Sequence, residues 1–476
     1  MKTLHPYLLA VFPIIYLYIT NTSEVSPSDV IAPVGISLGV TVLLLWILGK
    51  ATKNVIKTAL TVSTLLPFFY LYTLFTAKGL LSLWVSLLVM CIIIIWRTKG
   101  NLVGFNKYVN IISVILIAIS LLSLVTYETK KVDHADSEDL TGMITSPENP
   151  RDIYYIIPDS YGSADVLQEV YGFDNSEFVD FLEHKGFYVA RESHSNYAKT
   201  TVSLPSSLNM CYFKPEWRMD TKRESEDNLV ELITNSEVSQ LLKSVGYEYA
   251  FVSSGFFHDE AMHYAKVYKT KTIINNFMTY ICWNSAISPF MSGYIVDNQR
   301  DRILYAFDTL ENFPDYKEPV FVLAHIMCPH SPTIFNRDGS IPDRVERLDD
   351  APEMLRASYP EQVMFVNTRM EKVIESLLDQ EPQPIIIIQG DHENGGNVIE
   401  PFISGTSILN AYYLPDGGNE LLYDNISPVN TFRVIFNYYF GADYDLLEDK
   451  SYCVTGYPYE ITMPSECGRC LEINHK

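Results

Sequence analysis

The sequence predicts two unlike parts: a helical region of five apolar spans, then an α/β domain built on a largely parallel sheet. Three observations predict this. Charge is divided unevenly along the 476 residues: through Tyr127, eight Lys/Arg stand against two Asp/Glu, a net of +6, and the remainder carries 27 against 55, a net of −28. Apolar runs of bilayer-crossing length, which takes about 20 residues, fill the weakly basic part. Beyond residue 150, short apolar stretches alternate with amphipathic ones, the pattern of strands and covering helices. A strongly acidic domain also excludes nucleic acid as a partner, since phosphate binding needs a basic surface.

The apolar spans are 6–20, 31–49, 56–76, 79–97 and 107–127. The first is short and contains Pro13, yet it lacks a small-residue cleavage site and more spans follow, so it reads as a retained anchor. Lys2, the Lys50/Lys53/Lys57 loop and the Arg97/Lys99/Lys107 loop alternate with the acidic loop NTSEVSPSDV at 21–30. By the excess of positive charge on cytoplasmic loops, the N-terminus and both basic loops lie in the cytoplasm. Five crossings then place everything after Tyr127 on the outer side of the membrane. The spans hold almost no ionisable residue, which argues against a transporter.

A polar linker is expected over 128–150, followed by a single domain over 151–476. DIYYIIP (152–158), FYVARES (187–193), YEYAFVS (247–253), VFVLAHI (320–326) and PIIIIQ (384–389) read as strands. Helices are expected over 174–185, 236–245, 299–312 and 359–379. The segment 401–476 carries Cys453, Cys467 and Cys470, the last two as CGRC. One such pair without a second is weak for zinc, and a local disulfide is the preferred reading outside the cytoplasm.

Three strands end in residues suited to a metal ion. The first ends in Asp159 and Ser160, another in the AHIMCPHSP stretch with His325 and His330, and the third in GDHENGG with Asp391 and His392. Ligands of open α/β sheets gather beyond the carboxyl ends of the strands. Singly, each has a plain structural reading: a turn cap for Asp159, a core histidine for His325, a surface position for His258 and His263. Jointly they favour a site for one borderline or hard divalent ion, Mn²⁺, Zn²⁺ or Mg²⁺, with Mn²⁺ or Zn²⁺ preferred. NYAKTTVSLPSSLNM at 196–210 then offers a hydroxyl beside it. A metal-stabilised alkoxide is a competent nucleophile, and a helix opening there would present its amides to an anion. Lys199 is placed to steer an anionic substrate. On spacing alone Thr200 and Thr201 remain rivals.

The order of these parts resembles the alkaline phosphatase superfamily, in its sulfatase-fold branch, which includes lipoteichoic acid synthases and lipid A phosphoethanolamine transferases. The resemblance covers about 150–400, and the membrane spans ahead of an outer domain fit those enzymes too. It implies a sulfatase-like α/β/α domain with Thr200 as both nucleophile and metal ligand, favoured over Thr201 by the Lys199–Thr200 pair and by the spacing to Pro205. It implies Asp159, Asp391 and His392 as the other ligands of the ion and His330 as a phosphate contact. His325 and His258 are further substrate-binding candidates, His258 the nearest match to a histidine that the transferases carry. The Cys/Ser-x-Pro-x-Arg motif of true sulfatases is absent, Cys211 has no local partner for a family disulfide, and a three-metal ligand set is not visible.

The implied activity is phosphoryl transfer from a phosphodiester or phospholipid headgroup through a phospho-threonine, to an alcohol of a membrane lipid or anionic glycan, or to water. The rivals are hydrolysis of sulfate or phosphate esters, and a non-catalytic envelope protein that keeps the fold.

Overall fold

The computed structural model describes residues 3–21, 25–76, 79–128, 143–213, 229–255, 262, 264–270, 274–345, 352–393, 405–455 and 460–462. They fall into two compact units, one of Met1–Asp136 with Lys271–Asn298, the other of Ser137–Thr270 with Gln299–Lys476. By its contacts 271–298 groups with the first unit, although the chain on both sides of it belongs to the second.

In the first unit the helices are α1 (His5–Ile19), α2 (Pro27–Thr52), α3 (Val55–Tyr70), the short α4 (Tyr72–Thr76), α5 (Leu81–Arg97) and α6 (Val103–Glu128). Two of them, Pro27–Thr52 and Val103–Val125, are long and apolar enough to cross a membrane, and three are apolar but shorter. The third expected span is broken at Leu71, one turn beyond Pro67, whose ring removes a backbone donor. Side-chain contacts fix alternating directions. The backbone N–H groups of Leu4 and His5 both donate to Asn110 Oδ1 at 2.9 Å, so α1 and α6 begin at the same end. Lys57 at the start of α3 donates to Trp96 O at the end of α5, at 2.7 Å. Trp84 near the start of α5 donates to Phe68 O near the end of α3, at 3.3 Å. The basic loops therefore share one end of this bundle.

The second unit is organised on a seven-stranded sheet of order β2-β7-β6-β1-β5-β3-β4. Its strands are β1 (Ile153–Pro158), β2 (Tyr188–Val189), β3 (Glu248–Ser253), β4 (Lys266–Tyr268), β5 (Val320–Ile326), β6 (Ile385–Gln389) and β7 (Asn410–Tyr413). Every pairing is parallel except those made by β7. All residues of β1, β5 and β6 are buried, as expected of parallel strands covered on both faces. One face packs Tyr155, Ile157, Phe321, Leu323 and Ile387 against Leu204 and Leu208 of the helix Thr200–Leu208, Leu241 of Glu237–Ser244, and Phe432 and Phe436 of Pro428–Tyr439. Each such side chain contributes about 1.5–3 kcal/mol by leaving water.

The expected strand at 187–193 shrinks to two residues, because it is an edge held only by β7. β7 itself comes from the 401–476 segment, where no strand is expected from the sequence, and lies inside the sheet between β2 and β6. Cys467, Cys470, His258 and His263 lie outside the described residues, and so does most of the expected linker.

Candidate metal and nucleophile site

Three adjacent strands, β6, β1 and β5, run parallel, so their carboxyl ends open at one place. That registry brings together residues more than 230 positions apart. Asp159 follows β1, is fully buried, and has its backbone N–H bonded to Ile326 O at 2.9 Å. Asp391 and His392 follow β6. One ligand atom from each of Asp159, Asp391 and His392 lies within 4.8 Å of the others.

The details suit a cation. His392 Nδ1 donates to Glu393 O at 2.8 Å, which leaves the Nε2 lone pair facing the carboxylates. Nε2 stands 3.7 Å from Asp159 Oδ1 and 3.6 Å from Asp391 Oδ2. Asp391 Oδ1 is already used, accepting the N–H groups of Ser160 and His392, both at 2.9 Å. Its Oδ2 is buried and takes no hydrogen bond, and neither does Asp159 Oδ2, which lies 3.3 Å from His325 Nε2. Orphaned carboxylate oxygens at this depth are costly unless a cation meets them. The donor set, two carboxylates and an imidazole, therefore fits a divalent metal ion.

Thr200 opens the helix Thr200–Leu208, is 7% exposed, and sets Oγ1 3.1 Å from His392 Nε2. Lys199 is the residue immediately before the helix, half-buried, with its ammonium pKa lowered by burial. His330 sits in the turn after β5, with Nδ1 on Ser331 O at 2.5 Å and its ring centroid 6.4 Å from that of His392. His325, the buried last-but-one residue of β5, touches Asp159 instead of facing solvent. Of the residues singled out in the sequence, Asp159, Asp391, His392, Thr200, His325 and His330 thus gather at one end of the sheet.

Electrostatics follow the geometry. Burial alone would raise the Asp159 pKa, but His330, His325 and His392 outweigh it and hold the carboxyl well below its usual range. Burial disfavours protonated His392, yet Asp391 and Asp159 raise its pKa overall. Glu393, 3% exposed, is pushed up to about 8 by burial, with His392 opposing.

Several supporting residues have roles that the sequence does not announce. Ser160 has φ +63°, the left-handed region that is uncommon for a residue with a side chain and clusters at functional sites. That turn aims its N–H at Asp391 and lets its hydroxyl donate to Asp159 Oδ1 at 3.0 Å. Gly390 is required for another reason: a Cβ there would lie 2.4 Å from Tyr161 O, so the β1 and β6 loops meet backbone to backbone. The helix Pro352–Leu378 braces both neighbouring loops. Its Tyr359 hydroxyl donates to Ser160 O at 2.7 Å. Its buried Gln362 accepts from the N–H groups of Ile334 and Phe335, at 2.8 and 3.2 Å, and donates to Pro329 O and His330 O, at 3.0 and 3.1 Å.

Among solved structures the chain is similar to the lipooligosaccharide phosphoethanolamine transferase A of Neisseria meningitidis, an integral membrane protein. Identity is 11%, with 92% of this chain and 96% of that one covered at a TM-score of 0.42. It is also similar to the periplasmic domain of a phosphoethanolamine transferase from Campylobacter jejuni, at 14% identity, 63% and 92% coverage and a TM-score of 0.40. A third is the periplasmic domain of an Escherichia coli relative in complex with Zn, at 13%, 62% and 86%, with a TM-score of 0.38. These are enzymes of the class that the motif order resembles, but likeness at this level carries no activity over to this chain. No protein-family model matches, and no curated protein does.

Proposed function

We propose that the chain is a membrane-anchored, metal-dependent phosphotransferase that uses Thr200 as nucleophile on a phosphodiester or phospholipid headgroup. One observation carries the reading: a hydroxyl at a helix start, 3.1 Å from an imidazole whose neighbours are two buried carboxylates with unmet oxygens. Asp159, Asp391, His392 and Thr200 would hold the ion. When bound, it would supply stabilisation of the Thr200 alkoxide and of charge on the phosphoryl oxygens.

The chain's own residues do the rest. Thr200 Oγ attacks phosphorus; the Oγ–P bond forms as the P–O bond to the donor alcohol breaks, and that alcohol leaves with the proton given up by Thr200. Lys199 and His330 flank the equatorial oxygens and offset their charge. An acceptor alcohol then displaces Thr200 from phosphorus; water in its place makes the reaction a hydrolysis. Ser160 and Gln362 hold the loops that carry Asp391 and His330. The apolar helices of the first unit favour a lipid donor or acceptor, hence a transferase of lipid or envelope glycan, with the second unit on the outer side of the membrane.

The test is release of nitrophenol from a phosphodiester, a phosphomonoester and a sulfate ester, with Mn²⁺ or Zn²⁺ and then with chelator. Metal-dependent diester cleavage that disappears in Thr200→Ala supports the reading. Metal-independent cleavage, or an unaffected Thr200→Ala protein, overturns it.

A further inference from the structure

The segment Lys271–Asn298 belongs by its contacts to the helical unit, although its flanking sequence on both sides belongs to the sheet unit. Its composition is equally out of place. No charged residue stands between Lys271 and Asp297, in a part of the chain with 55 acidic and 27 basic residues. In their place stand Phe277, Tyr280, Ile281, Trp283, Ile287, Phe290, Met291 and Tyr294.

Half of this segment is anchored. In the helix Asn276–Trp283, Phe277 is buried in a cluster with Ile14 and Val25, and Ile281 packs on the same cluster with Leu17, Tyr18, Val30, Val34 and Tyr70. Asn275 donates to Asp29 Oδ1 at 2.7 Å, the N–H of Ala286 to Phe69 O at 2.9 Å, and Thr73 Oγ1 to Asn284 O at 3.0 Å. Every one of these partners lies at one end of the bundle: the end of α1, the beginning of α2, the end of α3 and α4. That is the end opposite Lys50, Lys53, Lys57 and Arg97.

The other half is largely bare, and so is the outer side of the anchored helix. Phe290 is 85% exposed, Ile287 38% and Tyr294 37%, and Tyr280 of Asn276–Trp283 is 56% exposed. Ile287, Phe290 and Tyr294 recur at helical spacing and form one face, while Ile295 and Val296 turn inward. Exposed apolar side chains also continue on the bundle beside it, at Phe69, Leu71, Leu74 and Ile31. Uncharged, aromatic-rich helices at the end of an apolar bundle match the headgroup level of a bilayer, where Tyr, Trp and Phe settle with one side in hydrocarbon.

We propose that 274–296 is a membrane-surface element, lent by the sheet unit's own chain, whose Tyr280, Ile287, Phe290 and Tyr294 lie in the lipid interface at the non-basic end of the helices. The proposal rests on the membrane reading above. It makes the bilayer a binding partner of the catalytic half of the sequence as well as of the N-terminal helices.

The experiment places a photoreactive benzoyl-phenylalanine at 290, at Ile115 in α6, or at Ile341 in the sheet unit, both about half-exposed positions. The full chain is reconstituted in phosphatidylethanolamine/phosphatidylglycerol nanodiscs, irradiated, and its peptides are searched for lipid adducts by mass spectrometry. Adducts at 290 and 115, with none above background at 341, are expected. Adducts at 115 alone overturn the proposal and leave the membrane reading standing. No adduct at either 290 or 115 overturns both, and equal adducts at all three positions overturn the proposal as non-specific labelling. A Phe290→Asp protein, which leaves the site residues untouched, is expected to lose turnover of a bilayer-embedded lipid donor and to keep turnover of a soluble nitrophenyl ester. Equal turnover of both by Phe290→Asp counts against the proposal.

Discussion

At the amino end of the central strands, Arg151 binds the carbonyl of Gln383 at 2.6 Å and pairs with Asp416, and Asp152 accepts the N–H of Val320 at 2.9 Å. At the carboxyl end of the same strands, Asp159 and Asp391 each keep a buried oxygen that takes no hydrogen bond among the described residues and has only a histidine nitrogen nearby. A cavity of about 510 Å³ also lies at the amino end, lined by Arg151, Gln383, Tyr413 and Asp416, whose polar groups are already paired. The difference teaches that a cavity alone does not point to chemistry in this sheet, whereas unmet charge at the other end is what the proposed mechanism uses. One end has its polar groups paired by folding; the other keeps carboxylate oxygens that a cation could meet.

That contrast can be broken in five ways, taken from the largest expected effect on activity to the smallest. Thr200→Ala is expected to lower phosphodiester turnover by at least about 10³-fold, as loss of a nucleophile does, with a melting temperature close to wild type. Retained turnover would remove the threonine from the mechanism. Asp391→Asn is expected to abolish the rise in melting temperature on adding Zn²⁺ or Mn²⁺. In wild type that rise would correspond to about 2.7 kcal/mol at a hundredfold excess over Kd. A metal-induced rise that persists in Asp391→Asn would mean that the ion binds elsewhere.

Gln362→Ala, which strips the turn carrying His330 of four hydrogen bonds, is expected to cost about 3 kcal/mol of stability and about tenfold or more in kcat/KM. Tyr359→Phe, losing one bond to Ser160 O, is expected to cost about 1 kcal/mol. Denaturation and steady-state kinetics on the two proteins give both quantities. The smallest effect belongs to the paired end. Arg151→Ala is expected to cost about 1 kcal/mol, mainly through the Gln383 carbonyl, because the Asp416 partner is 67% exposed, and to leave kcat/KM unchanged. A fall in kcat/KM would show that the two ends are coupled.

Legibility in the sequence follows the range of the forces involved. β1, β5 and β6 announce themselves as unbroken apolar runs, because both faces are buried, and their terminal Asp and His residues follow directly. The apolar helices of the first unit are legible for another reason: their apolar runs are long and nearly free of charge, although most of their side chains are exposed in the structure. β4 and β7 are not, since three or four residues hold their place through neighbours rather than through their own pattern. β2 reads longer than it is because its apolar character serves packing beyond the ladder. Tyr359 and Gln362 look like ordinary helix residues until the helix is seen against two loops. Ser160 gives no hint of its left-handed turn, which the close approach at Gly390 and the bond to Asp391 impose from outside. The segment 274–296 is uncharged, but only its partners in α1, α2 and α3 reveal where it goes.

Its anchoring has a practical consequence for cutting the molecule. A fragment that starts at Thr145 sheds α1–α6 yet keeps Phe277 and Ile281, which lose Ile14, Val25 and Tyr70 as cover, and Asn275, which loses Asp29. A single cut therefore yields no clean water-soluble half; the fragment is expected to self-associate through this bared surface, as gel filtration with light scattering would reveal. A second excision over 271–298 is expected to restore a monomer, and persistent association without that segment would locate the sticky surface elsewhere.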